Sequence, residues 1–241
     1  VHPAFTNESS INYANGGWDK ELAGIWVAKF EAGYASGNNS ATVKASSVNY
    51  SQDTSWVAKI EAGTSSDSTQ PARNWLDGKY GSTTTAIKYP TFQGLTYSMN
   101  YINHNDAYRI SKVLTESGNI YGLNSSSTDS HLMKNSEWGA VSYLSQSKYG
   151  LDGTNIVINS VYLNNTTKSV YAVTGCASST ADASAVSTTI GALNNRTQSG
   201  VYVWTQKNGT AASSTGTIYG IYDMSGGISE RTSSLINNKN N

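Results

Sequence analysis

The chain has 241 residues and a formal net charge of zero, 16 Lys+Arg against 16 Asp+Glu, with only 13% charged and 37% hydrophobic residues. That balance argues against a nucleic-acid partner or attraction to an anionic membrane, since both need concentrated positive charge, and no apolar run approaches the length of a membrane span. Sixteen Tyr and six Trp supply apolar area that a disordered Ser/Thr/Asn/Gly-rich chain lacks. The sequence therefore reads as a folded protein with a neutral, hydroxyl-rich and aromatic-rich surface, the character of secreted or virion-exposed proteins. Cys176 is the only cysteine, which excludes an intrachain disulfide and a multi-cysteine metal site.

The N-terminus lacks the basic and apolar regions of a signal peptide, and a chain opening at Val1 rather than Met reads as a processed or excised piece. Trp26-Val27-Ala28-Lys29-Phe30-Glu31-Ala32-Gly33 then recurs thirty residues later as Trp56-Val57-Ala58-Lys59-Ile60-Glu61-Ala62-Gly63. Apolar residues alternate with Lys and Glu, so each copy is predicted to be a half-buried strand closed by a Gly turn. Two copies are too few for a solenoid, and a local duplication that lengthened a sheet is the simpler reading. Residues 64–93, rich in Ser, Thr and Gly and broken by Pro71 and Pro90, are predicted to be a loop-rich surface insertion.

Two helices are expected next. Asn103 or Asn105 caps the first, whose apolar face includes Ala107, Ile110, Val113 and Leu114, and Gly118 stops it. Asn135 or Ser136 caps the second, which carries Trp138, Val141, Leu144 and Ser145 on one face and ends by Gly150. Glu137 falls in its first turn, where a carboxylate is favourable. Beyond Gly150 the period becomes two: Asn155–Asn159 and Ser169–Val173 read as strands around an Asn164-Asn165 turn, and Gly200–Trp204 as another. Gly175–Asn195 reads as small-residue loop, Lys207–Thr210 as a turn, and 229–241 as a polar tail.

His2, His104 and His131 show no metal-ligand spacing, and each is expected at the surface or in a cap. Glu31 and Glu61 could form a catalytic carboxylate pair, although the duplication already accounts for them. Ser225 lies in no Gly-x-Ser-x-Gly elbow, and Gly226-Gly227 suits a tight backbone turn. Asp223 is a candidate either to bind a structural calcium ion or to cap that turn, and capping is the commoner outcome.

Two blocks, His131-Leu132-Met133-Lys134-Asn135-Ser136-Glu137-Trp138 and Tyr219-Gly220-Ile221-Tyr222-Asp223-Met224-Ser225-Gly226-Gly227, resemble signature segments of the formylglycine-generating (sulfatase-modifying) family, a branch of the C-type-lectin-like folds. Asn105-Asp106-Ala107 and Gly24–Glu31 resemble two further landmarks of that family, in the same order. The resemblance implies an α+β, C-type-lectin-like single domain over 1–241, with two helices on small antiparallel sheets and long loops. It also raises the family's cysteine-pair oxidase as an activity. Those cysteines follow the second block in the family, whereas Cys176 precedes it and a lone thiol cannot do that chemistry. No catalytic residues and no cofactor are therefore expected, a structural calcium ion apart. Where the family has Asn-x-Trp-Glu, this chain has Gly227-Ile228-Ser229-Glu230, so its closing sheet differs.

The function expected is a noncatalytic extracellular, cell-surface or virion-surface module that recognises a cell-surface protein or a glycan. Arg231, Asn237, Asn238, Tyr202 and Trp204 are its candidate binding residues. The alternative is a structural subunit of a surface filament or viral particle, in which a homo-oligomer or neighbouring subunit completes the sheet.

Overall fold

The computed structural model describes residues 23–34, 90–96, 98, 107–108, 111–112, 114–117, 119, 121–163, 171–179, 186–188, 192–193, 195–196 and 198–233. The second copy of the duplicated segment and Asn237 and Asn238 lie outside them. In the first copy, only Gly33–Tyr34 is a strand (β1), and it pairs antiparallel with β2, Pro90–Thr91. Residues 24–29 still alternate in exposure, Gly24, Trp26 and Ala28 being exposed and Ile25, Val27 and Lys29 partly buried. The period-two pattern is thus real, but no ladder with other described residues makes it a strand.

Of the described residues of the first expected helix, 107–108 and 111–112 are helical, whereas 114–117, Leu114 among them, form turns and a bend, so regular helix does not continue to the expected stop. The second is α1, Asn135–Gln146, which starts after Lys134. Its buried positions are Glu137, Val141 and Ser145, four residues apart, so the inward face is rotated from the one expected. Trp138 is half-buried rather than heading the core. Glu137 takes the inward place because its carboxylate accepts the Lys134 backbone N–H at 2.9 Å, one of the helix-start donors left without an intrahelical partner.

After α1, β3 (Val161–Leu163) pairs antiparallel with β4 (Tyr171–Ala172) and parallel with β6 (Val186–Thr188). β5 (Cys176–Ser178) pairs antiparallel with β7 (Val201–Val203), in the register Cys176↔Val203, Ala177↔Tyr202. β5 and β6 fall inside the segment expected to be loop, which corrects that reading. Cys, Ala and Ser lack the β-branched signature of a strand, but their small side chains let β5 lie wholly buried against Val-rich β7. Of the segment Asn155–Asn159, only Asn159 makes a bridge, to Gly226. A 3-10 helix, Gly209–Ala212, follows β7 where a turn was expected.

Because successive strand residues point to opposite faces, the β5–β7 ladder separates two apolar clusters. Cys176, Val201 and Val203 face one side with Val161, Val173 and Leu193. Ala177 and Tyr202 face the other with Phe30, Ala212, Tyr222 and Trp204. There the Phe30 ring packs edge-on to Trp204, centroids 5.5 Å apart, and tilted against Tyr222 at 5.2 Å. This second cluster joins a segment near residue 30 to one near 222, and that junction positions the site.

Candidate functional site

At the junction, Asp223 is almost fully buried and its backbone has φ +65°. Its Oδ1 accepts Asn159 Nδ2–H at 2.9 Å and the Gly175 N–H at 3.0 Å, while its Oδ2 accepts the Glu31 N–H at 3.3 Å. Asn159 is satisfied in turn: Nδ2 donates to the Val173 carbonyl at 2.7 Å and Oδ1 accepts the Val161 N–H at 3.1 Å. One carboxylate therefore ties together four stretches of chain. None of these bonds goes to the Gly226-Gly227 turn that the sequence suggested Asp223 would cap; the carboxylate instead joins segments distant in sequence.

Glu31 lies beside it. Ser98 Oγ donates to Glu31 Oε2 at 2.5 Å, whereas Oε1 is buried with no hydrogen-bond partner. Burial, reinforced by the charge of Asp223, pushes the Glu31 carboxyl up to about 9, so it is neutral at pH 7. Burial likewise raises Asp223 to about 6, against the opposing hydrogen bonds from Asn159, Gly175 and Glu31. Gly227 presses on this carboxyl: a Cβ there would lie 2.8 Å from Oε1. Gly226 and Gly227, at φ +91° and +72°, make the left-handed turn that brings the backbone so close.

Outside the turn lies an open cleft of about 340 Å³, lined by Asn135, Trp138, Met224, Ile228, Glu230 and Thr232 among others. Trp138 Nε1 donates to the Glu230 carboxylate, and burial raises the pKa of Glu230. Beneath the first turn of α1, His131 Nε2 lies 3.2 Å from Glu137 Oε2 and its Nδ1 lies 3.4 Å from Asp129 Oδ2. The hydrogen bond to Glu137 raises the His131 pKa. A raised histidine pKa contributes stability that is fully present below the unfolded value, near 6.5, and is lost as pH rises through the folded value. Melting curves of wild type and His131→Ala should therefore differ more at pH 5.5 than at pH 8, by on the order of 1 kcal/mol for a partly exposed pair. Equal differences at both pH values would show that the ring contributes packing alone.

Of the sequence-predicted binding residues, Arg231 is exposed. Tyr202 and Trp204 are half-buried and pack against the second apolar cluster, and Lys29 Nζ sits 4.2 Å from the Trp204 ring centroid. The packing uses much of both rings. Cys176 is fully buried, and burial raises its thiol pKa well above the ordinary value.

Sequence reasoning passed over the exposed aromatics. Tyr219 is 90% exposed, Tyr149 74% and Tyr143 71%. Tyr219 crowns loop 213–222, whose own hydroxyls fix its backbone. Ser213 Oγ lies within hydrogen-bond distance of the Thr210 and Thr217 carbonyls, at 2.9 and 2.8 Å, and Thr217 Oγ1 accepts the Tyr219 N–H at 3.2 Å. Ser214 and Ile221 close the loop through Ser214 N–H to the Ile221 carbonyl and Ile221 N–H to Ser214 Oγ. This loop touches the segment after α1, since a Cβ on Gly150 would lie 2.8 Å from the Ser214 carbonyl oxygen and one on Gly216 2.9 Å from Leu151. Tyr149 and Tyr219 thus stand on two adjoining segments. The Ser/Thr spacing around Thr217 was the sequence signal for such a loop.

No protein-family model, curated protein or solved structure matches this chain.

Proposed function

We propose that this chain is a noncatalytic recognition module of an extracellular, cell or virion surface, built on a C-type-lectin-like scaffold, that binds a cell-surface protein or glycan. The observation that carries this reading is Tyr219, nine-tenths exposed on a loop held by its own hydroxyls. A rigid exposed aromatic offers stacking area at little entropic cost on binding, and the Thr and Ser hydroxyls around it offer hydrogen bonds. Tyr149 and Tyr143 extend the same chemistry across the neighbouring segment. The buried acids argue in the same direction, because Asp223 spends its oxygens on backbone and amide N–H groups and Cys176 is sealed in the core.

Binding of the purified chain to glycan arrays and to intact cell surfaces tests the reading. Tyr219→Ala and Tyr149→Ala are expected to weaken binding about tenfold or more each, the effect of losing an aromatic anchor, with melting temperatures unchanged. Wild-type affinity in both variants, or turnover of a bound substrate, would overturn it.

A further inference from the structure

We propose that the Glu31 carboxyl is a proton-operated latch on the strap 226–233, closed when the carboxyl carries its proton and released when it ionises. The strap is anchored at both ends by backbone hydrogen bonds. At one end the Asn159 N–H bonds the Ser225 carbonyl at 2.9 Å and the Gly227 N–H bonds the Asn159 carbonyl at 2.8 Å. At the other the Asn135 N–H bonds the Ser233 carbonyl at 2.9 Å and the Ser233 N–H bonds the Met133 carbonyl at 2.8 Å. In the middle the strap meets acids instead. Gly227 lies directly on the Glu31 carboxyl, the Ile228 amide faces it, and Glu230 holds the Trp138 indole N–H.

The carboxyl that supports the strap has poor surroundings for a charge. Two groups favour its charged form, the Ser98 hydroxyl on Oε2 and the Ile228 amide, and Oε1 makes no well-aligned hydrogen bond. The charged groups facing it are Asp223 and Glu230, both acidic. Lys29, two residues away, directs its ammonium to the Trp204 ring, and Arg231 is exposed on the far part of the strap. Among the described residues no cation is placed to pair with a charge on Glu31, so water is the group left to solvate it. Water can reach it most easily through the strap, where Gly226, Ser229 and Glu230 are already exposed. Ionisation and opening are then one event, and the same movement unlines the cleft against Trp138.

The sign follows from linkage. Glu31 titrates near its ordinary value, about 4.5, when the strap is open, and about 9 when it is closed. Closure is fully favoured below the lower value and weakens as pH rises toward the upper one. Hydrogen exchange of the strap amides, corrected for intrinsic rates, measures it between pH 5 and pH 9. The expected result is opening that grows about tenfold per pH unit within that window, while Val173 and Val203 in the core keep their protection. Glu31→Gln, of the same size and uncharged, should lose the rise above pH 7, where Asp223, near 6, is already ionised. Glu230→Gln, of the same size and still able to accept the Trp138 bond, should make the opening level off at a lower pH. Strap and core opening together in the wild type would overturn the latch, as would a wild-type profile in Glu31→Gln. Should Glu31→Gln not fold, an unchanged plateau in Glu230→Gln overturns it.

Discussion

Asp223→Ala is expected to cost about 3–5 kcal/mol, the range for removing one member of a buried, hydrogen-bonded charged group. Domains of this kind carry roughly 5–15 kcal/mol in total, so the variant should lie at the edge of folding. The Gly175 and Glu31 N–H groups lose the carboxylate that accepts them, and Asn159 loses one of the two acceptors of its amide. Buried donors left unpaired cost more than the bond itself contributed. Two features soften or sharpen the loss. Removing the charge relieves Glu31, which titrates lower without it. Alanine, however, is poorly suited to the φ of +65° at this position, and that adds about 1 kcal/mol. Asp223→Asn keeps the shape, one acceptor and a tolerance for positive φ, so it should cost about half as much. Urea denaturation of both variants at pH 7 reads the difference; equal midpoints for Asp223→Asn and Asp223→Ala would mean that the carboxylate does not organise the junction.

Gly226→Ala should cost about 3 kcal/mol through a different mechanism, strain at positive φ added to lost backbone bonds. Its Cβ would lie 2.2 Å from the Asn159 carbonyl oxygen and 2.7 Å from that residue's backbone C and N. None of these atoms can swing aside as a side-chain tip would. Moving apart breaks the two backbone bonds between Asn159 and the turn. Gly153→Ala is the control, because Gly153 also has positive φ, +79°, yet nothing lies within 4 Å of its Cβ position. That control should lose only about 1 kcal/mol. If the two alanines cost the same in thermal melts, backbone strain accounts for the whole effect and the close approach of Gly226 to Asn159 contributes nothing.

Local chemistry made some of this legible. The Gly226-Gly227 turn, the strand at Val201–Val203 and the acidic first turn of α1 were all expected from neighbours in sequence, and all are present. The face of α1 was misjudged because only the apolar positions were assigned to the core; two bonds, to Lys134 and His131, let the charged Glu137 go inward. β5 was missed because Cys176-Ala177-Ser178 has no intrinsic strand preference and owes its conformation to β7. Trp204 was placed at a contact surface on its polar neighbours; its half-buried ring also packs against Phe30, a contact distant in sequence that no local pattern announces. The acid pair was least legible of all. Glu31 and Asp223 are separated by 192 positions, and no window of sequence contains both. Tyr219 stood in plain view within its block, yet exposure is a property of the folded loop and not of the residue type.

The junction of Phe30 and Glu31 with Tyr222 and Asp223 also sets the order in which the molecule can assemble. A ribosome adds roughly 5–20 residues per second, so the Phe30 ring waits about 10–40 s for its partner Tyr222 to emerge. Contacts of such long sequence separation slow folding, because the loop must close before any reward is gained. Through most of synthesis the early segment is thus an unpacked, aromatic-bearing strand, open to chaperones and in a state that can still be threaded. A messenger cut short before the codon for Tyr222 would yield a product lacking both Tyr222 of the second apolar cluster and Asp223 of the acid junction.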